Sequence, residues 1–242
     1  MHDDGFFGEK VAATYDQDCA GAFAEAEIEA TATFLARLAG SGRALELGIG
    51  TGRIAVPLST RGVPVRGIEL SQAMATRLLE KSDSIGVTIG DFSTTRVDGE
   101  FKLAYLVFNT IMNLTTQAAQ VACFRNVADH LVVGGHFAIE CLLPDLQRLP
   151  FGETIRPFSV TETHLGFDEY DVVRQGQVSH HFSLRNGAWV RNSMPFRYVW
   201  PSELDLMAEM AGMSLVERWS GWNREPFTNL SPKHVSIWRK DR

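Results

Sequence analysis

Ala44-Leu45-Glu46-Leu47-Gly48-Ile49-Gly50-Thr51-Gly52 places a short apolar run directly against three closely spaced glycines. Ala44, Leu45 and Leu47 suit a buried strand. Gly48 and Gly50 let the main chain approach a ligand with no Cβ in the way, and Ile54, Ala55 and Leu58 supply the packing face of a following helix. Strand, glycine turn and helix in that order read as a nucleotide-binding turn, with backbone N–H groups expected to line the pocket.

Spacing decides which nucleotide the turn serves. The dinucleotide fingerprint G-x-G-x-x-G/A needs a small third residue, and Arg53 stands there, too large for close helix-to-strand contact. The lysine of a phosphate-cradling P-loop is missing as well. The run Glu46 to Gly52 instead resembles the first motif, E/D-x-G-x-G-x-G, of the class I S-adenosylmethionine (SAM)-dependent methyltransferases. SAM has no pyrophosphate, so the resemblance implies a loop wrapped around its amino-acid and ribose portion, with contacts from Glu46, Gly48, Ile49, Gly50 and Gly52.

Two acids past apolar runs extend the pattern. Val63 to Leu70 reads as a second strand ending in Glu69, where a βαβ unit places a carboxylate able to accept hydrogen bonds from both ribose hydroxyls. Removing Glu69 is expected to weaken SAM binding and barely change stability. Ser71 reads as an N-cap, and Met74 and Leu78 line one face of the next helix. Ile85 to Ile89 is a third strand, followed by Asp91 and Phe92. By the resemblance, Leu70 and Met74 sandwich the adenine, Asp91 accepts from its amino group, and the N–H of Phe92 reaches a ring nitrogen. Without it, Met74 is core filler and Asp91 caps a turn.

The fourth strand, Phe101 to Phe108, leads into Asn109-Thr110-Ile111-Met112-Asn113, where a class I enzyme presents the reacting group, so Phe108 joins the cofactor set. Asn109-Thr110 is not the (D/N)-P-P-(Y/F) of enzymes that methylate DNA bases or glutamine amides. Nor is there the aspartate cluster by which catechol O-methyltransferases hold a hard cation. The expectation is a metal-free enzyme acting on a small molecule. Residues 115–131 read as a helix, Val132 to Gly135 as a turn, and His136 to Leu143 as strand five; His130, beside the turn, reads as structural.

In residues 1–19 Phe6, Phe7 and Tyr15 are the only large rings, which suggests an N-terminal flap. In the resembled family a pair like Tyr15-Asp16 often has its tyrosine near the methionine end of SAM or the reactive centre; the plainer reading is an anchor ring. A core helix from Ala20 to Ala39 follows at helical spacing. The α/β core is expected over 20–143 and again over 201–242, where Ser202 caps a helix and strands 213–220 and 234–239 follow, the last two strands pairing antiparallel as in the resembled fold.

Between them, residues 144–200 switch to period two and read as an antiparallel β insertion, a substrate lid or a dimer surface, with two-residue hairpin turns at Gln175-Gly176 and Asn186-Gly187. A two-residue turn at Gln175-Gly176 sets Asp171 opposite His180. That pair makes His180 a candidate proton acceptor, against the plainer reading of a solvated cross-strand pair. The expected fold is a doubly wound, Rossmann-like seven-stranded sheet with an antiparallel last strand, plus this insertion.

At 242 residues with 45% hydrophobic content the chain can bury a full core, and its formal charge of −6 disfavours a grip on nucleic acid. Three well-separated cysteines, no basic apolar leader and no membrane-length apolar run set the expectation of a cytoplasmic protein without zinc or disulfides. The layout is similar to antibiotic-pathway enzymes that N-methylate deoxyaminosugars. Two alternatives to a small-molecule N- or O-methyltransferase remain: a SAM-binding regulator without turnover, and an NAD-dependent reductase.

Overall fold

The computed structural model describes residues 6–18 and 25–242; Cys19 and the stretch from Ala20 to Ala24 of the expected core helix lie outside the described residues. The elements in order are α1 (Glu9–Asp18), α2 (Glu25–Ala39), β1 (Ala44–Leu47), α3 (Ala55–Thr60), β2 (Val65–Glu69), α4 (Gln72–Lys81), β3 (Gly86–Ile89), β4 (Phe101–Leu106), α5 (Gln117–His130) and β5 (Leu131–Leu142). There follow β6 (Ile155–Val160), β7 (His164–Asp171), β8 (Gly176–Arg185), β9 (Ala188–Arg197), α6 (Pro201–Met210), β10 (Met213–Trp219) and β11 (Lys233–Lys240).

Seven strands form one sheet in the order β10-β11-β5-β4-β1-β2-β3, with β11 antiparallel to both neighbours and the other pairs parallel. This is the doubly wound, Rossmann-like arrangement expected. Alternation along the strands divides the core. Leu45, Leu106, Phe137 and Trp238 face α5 and α6, where Phe124 meets Phe137 and Trp238 edge to face at 5.1 and 5.6 Å. Ala44, Leu103, Ala138 and Ile237 face α2 and α3 through Phe34, Leu35 and Leu58. Both faces are covered, which is why the strands read as near-continuous apolar runs.

Four sequence expectations change. The N-terminal segment holds a helix, α1, that packs Ala12, Tyr15 and Phe7 against Ala73 and Met74 of α4. Val132 to Gly135 belongs to β5 and is no separate turn; the extra residues bulge between the pairs Phe101↔Leu131 and Leu103↔His136, with Gly134 at φ +74°. Helix α6 starts at Pro201 with Trp200 as its N-cap and no side-chain cap, so Ser202 lies inside the helix, where proline supplies the start signal.

The fourth concerns the insertion, whose strands form a separate antiparallel sheet in the order β6-β7-β8-β9. Asn186 and Gly187 take φ +52° and +79° between the paired Arg185 and Ala188, the two-residue turn expected. At the other hairpin Asp171 pairs with Gly176 and Phe167 with His180, so the Asp171–His180 pairing does not exist. The Asp171 carboxylate instead accepts from Val173 N at 3.0 Å and Arg174 N at 3.3 Å, and Gln175 takes φ +55°. Such an aspartate-capped turn spends four residues where two were expected and moves the register by as much.

Candidate active site

The ends of β1, β2, β3 and β4 converge at one edge of the large sheet, as strand ends must where a doubly wound sheet binds its ligand. Gly48 and Gly50 there take φ +66° and +57°, a region costly for any residue with a Cβ. An added Cβ at Gly48 would lie 2.6 Å from Thr110 Cγ2, and one at Gly52 2.0 Å from Leu78 Cδ1, so these two glycines serve packing. At Gly50 a Cβ would reach only ordinary contact, 3.5 Å from Met74 Cε. Among the described residues its only other near neighbour is Gly48 O at 3.9 Å, so the surface at Gly50 is open where those at Gly48 and Gly52 are filled. A cradle that a single Cβ would fill is what a closely held cofactor requires.

Four backbone N–H groups of the turn are engaged within the protein. Those of Gly48 and Ile49 donate to Ile68 O at 2.8 and 3.1 Å, that of Gly52 to Ile49 O at 3.1 Å, and that of Gly50 to Glu69 Oε2 at 2.7 Å. The turn is held by its own hydrogen bonds and offers a smooth backbone surface. Ile49 turns its side chain into the core over Gly67. Glu46 lies beneath the turn, 3% exposed, accepting from Tyr105 Oη at 2.8 Å. Burial pushes its carboxyl up to about 8, against the opposing pull of that hydrogen bond and of Arg53.

Glu69 is 6% exposed, and its second oxygen accepts from Ser71 N at 2.9 Å. Ser71 Oγ in turn accepts from Met74 N at 3.1 Å, the N-cap read from sequence, and donates to Phe7 O at 2.7 Å. Helix α1 is tied to the turn by Thr51 Oγ1, which donates to Asp16 Oδ1 at 2.6 Å, while Lys81 pairs with the same carboxylate. Burial raises the Asp16 carboxyl, but hydrogen bonds from Lys81 and Thr51 hold it below its ordinary value. Tyr15 sits edge-on to Phe7 with ring centroids 6.1 Å apart. The fold thus gathers Tyr15, Gly50, Glu69 and Met74, and gives Asp16, read from sequence only as the partner of Tyr15, a tethering contact with Thr51.

Leu70 is exposed beside them, Phe92 is buried, and Asp91 accepts from Ser93 N at 2.7 Å, bracing the turn after β3. Past β4, Phe108 and Asn109 take φ +54° and +62°, two successive left-handed residues that cost about 1 kcal/mol or more each. Three hydrogen bonds from the end of β5 hold them. Phe108 N donates to Glu140 Oε2 at 3.1 Å, Asn109 N to Glu140 O at 3.2 Å, and Asn109 Oδ1 accepts from Leu142 N at 2.6 Å. Arg53 lies over the Phe108 ring at 5.2 Å.

Beside this strained turn a cavity of about 120 Å³ is lined by Phe108, Asn109, Glu140, Arg53, Lys233 and residues of α2. Nothing in the local sequence marks Glu27, Glu140 and Lys233 as neighbours. His180 is not among the lining residues; it lies on the four-stranded sheet, its Nε2 3.2 Å from Glu169 Oε2 and its Nδ1 2.8 Å from Ser193 Oγ. His130 accepts from Val97 N at 2.9 Å and contacts Asn126 O, a structural histidine as read. Among the described residues no group of three acids, histidines or cysteines is placed to hold a metal ion, and no helix is long and apolar enough to cross a membrane.

Residues 44–135 match the methyltransferase domain family. The CcbJ methyltransferase of Streptomyces caelestis is 33% identical, superposes with a TM-score of 0.88, and is matched over 99% of this chain and 100% of its own. The cypemycin N-terminal methyltransferase of a Streptomyces species is 26% identical over 207 residues, 80% of this chain and 81% of its own. SAM-bound CalS10 of Micromonospora echinaspora, an amino pentose methyltransferase, shares the fold with a TM-score of 0.73 at 19% identity, over 94% of this chain and 96% of its own.

Proposed function

This chain belongs to the class I SAM-dependent methyltransferases, and on that premise we propose that it methylates an amine of a small molecule, a hydroxyl being the second choice. The observation that carries the reading is the cavity of about 120 Å³ beside Phe108 and Asn109, whose lining includes Arg53, the residue that follows the glycine turn. The likeness to a relative named as an N-terminal methyltransferase supports nitrogen over oxygen.

SAM supplies an electrophilic methyl group on a sulfonium. We assign Glu69 to its ribose hydroxyls, Leu70 and Met74 to the faces of its adenine, Asp91 and Phe92 to the adenine edge, and Phe108 to the space near the methyl. Gly50 provides the backbone surface it lies against, and Glu46 keeps the turn in shape from below. Tyr15, held over the cradle by α1, would exclude water near the methionine end. Positioning and desolvation are then the main contributions of the chain, because an amine that arrives neutral needs no strong base.

The test is calorimetric titration with SAM and with NADH, followed by product detection across matched amine and hydroxyl acceptors. SAM binding with methyl transfer to amines is expected. Transfer to hydroxyls alone would overturn the nitrogen assignment, and NADH binding in place of SAM would overturn the site.

A further inference from the structure

We propose that the cavity lined by Arg53, Glu27, Glu140 and Lys233 seats the amino-acid head of SAM, with the α-carboxylate against Arg53 and the α-ammonium against Glu140 and Glu27. The inference rests on the SAM reading of the site given above and names the residues that hold the zwitterionic end of the cofactor.

Size comes first. A cavity of about 120 Å³ is well below the roughly 300–1,000 Å³ of pockets that enclose a whole drug-sized ligand. SAM is of that larger class, so only one end of it enters. Arg53 comes directly after the glycine turn, and Phe108, assigned above to the space near the methyl, lines the same cavity. The amino-acid head is joined to the sulfonium by a short methylene arm. Ribose and adenine extend from the other side of sulfur, toward the assigned Glu69, Leu70 and Met74. With the head inside, the methyl is left at Phe108 for the acceptor to reach.

Charge comes second. Two carboxylates, Glu27 and Glu140, and two cations, Lys233 and Arg53, leave the lining with no net charge. An α-amino-acid head is likewise neutral overall and carries one charge of each sign, so it matches such a lining where a group of single sign does not. The charges are also arranged. Lys233 Nζ donates to Glu140 Oε1 at 2.8 Å and pairs with Glu27 of α2, which holds the lysine between the two acids and fixes their position. Arg53 lies instead over the ring of Phe108, at 5.2 Å, while the backbone N–H of Phe108 donates to Glu140 Oε2 at 3.1 Å. Guanidinium and acids therefore meet at the two ends of one residue, its ring and its main chain.

The donor and acceptor inventory agrees. A guanidinium presents a planar fork matched to a carboxylate. A carboxylate has about four acceptor positions, more than the two that Lys233 and Phe108 N use on Glu140, so an ammonium can be accepted as well. The Glu140 side chain is 11% exposed and that of Lys233 28%, which limits screening by solvent. Ile28, Ile54, Val107 and Leu142 make the rest of the lining apolar, and apolar surroundings strengthen every charge within them.

The experiment is calorimetric titration with S-adenosylhomocysteine and with two analogues, one lacking only its α-carboxylate and one lacking only its α-amino group. All three share adenosine and sulfur, so their differences report the head alone. Each analogue is expected to bind about tenfold to 100-fold more weakly than S-adenosylhomocysteine, the usual effect of losing hydrogen bonds to a charged group. Arg53→Met should weaken S-adenosylhomocysteine by a similar factor and leave the decarboxylated analogue within about twofold, because that analogue has nothing left for the arginine to hold. Glu27→Gln, which leaves the bonds at Phe108 in place, should narrow the gap between S-adenosylhomocysteine and the deaminated analogue. Equal binding of all three compounds to the unmodified protein overturns the proposal, whether or not the variants fold. So does an Arg53→Met variant that weakens the decarboxylated analogue as much as S-adenosylhomocysteine, or that weakens neither. A gap that survives Glu27→Gln in full overturns the ammonium half of the assignment. Failure of the unmodified protein to bind S-adenosylhomocysteine at all would instead overturn the SAM reading beneath it.

Discussion

Glu69 and Gly50 are joined by a 2.7 Å hydrogen bond from the glycine N–H to the carboxylate, while the other carboxylate oxygen accepts from Ser71 N at 2.9 Å. The acid proposed for the ribose therefore also braces the turn after β1 and the start of α4. Sequence alone suggested that its removal would barely change stability; two N–H groups left without partners, one buried and one partly buried, argue otherwise. Glu69→Ala is expected to cost about 2 kcal/mol or more in denaturant unfolding, and about tenfold to 100-fold in SAM affinity. Glu69→Gln keeps one acceptor and should recover part of the stability. Unchanged SAM affinity in a folded variant would remove Glu69 from the ribose site.

Gly50→Val places a branched side chain in the cradle and forces it into φ +57°. SAM binding should be lost outright, and stability should fall by about 1–3 kcal/mol from backbone strain. Gly50→Ala, which carries the strain with one methyl group, separates the two effects. Normal SAM titration of the valine variant would show that the cofactor lies elsewhere.

The buried Glu46 carboxyl gives a pH signature. Its folded value of about 8 exceeds the ordinary 4.5, so the folded state holds a proton that the unfolded chain releases first. Its contribution to stability is fully present below about 4.5 and is lost as pH rises through about 8. Glu46→Gln keeps an acceptor for Tyr105 and cannot ionise. The difference in Tm between variant and parent should grow in the variant's favour from pH 5 to about 8, then level off. A constant difference across that range would mean that Glu46 is ionised throughout.

His180 is bonded to Glu169 and Ser193, apart from the cavity lining. As a proton acceptor it would need to face the acceptor amine. We expect His180→Asn, assayed at saturating SAM from pH 6 to 9, to keep turnover within about twofold and to lose some thermal stability. A collapse of turnover with SAM affinity intact would assign it the base role first inferred from sequence.

The large sheet was legible because its central strand β1 is buried throughout and three of its strands lead into a marked residue, Gly48 after β1, Glu69 at the end of β2 and Asp91 just past β3. The Asn186-Gly187 turn was legible because both residues tolerate positive φ, a local property. Gln175-Gly176 misled for a related reason: the glycine signal was taken at face value, while Asp171, which caps the longer turn, sits four residues upstream. Helix α1 escaped because, among its residues whose side chains are described, Ala12 alone is buried, leaving little apolar periodicity to read. The triad of Glu27, Glu140 and Lys233 had no local signal at all; only the pairing of β11 with β5 brings Lys233 beside Leu142, and only α2 brings in Glu27.

The N-terminal segment is fastened at two points, Asp16 of α1 to Thr51 in the glycine turn and Phe7, ahead of α1, to Ser71 at the start of α4. With SAM held in the cradle as proposed, its arrival and departure are expected to need both fastenings to open. Breaking them raises the barrier in both directions equally, so they lengthen the residence time of the cofactor and leave its equilibrium affinity nearly untouched. Slow exchange of spent for fresh cofactor, faster in Thr51→Val, is the kinetic imprint of a helix that sequence alone left as a loose flap.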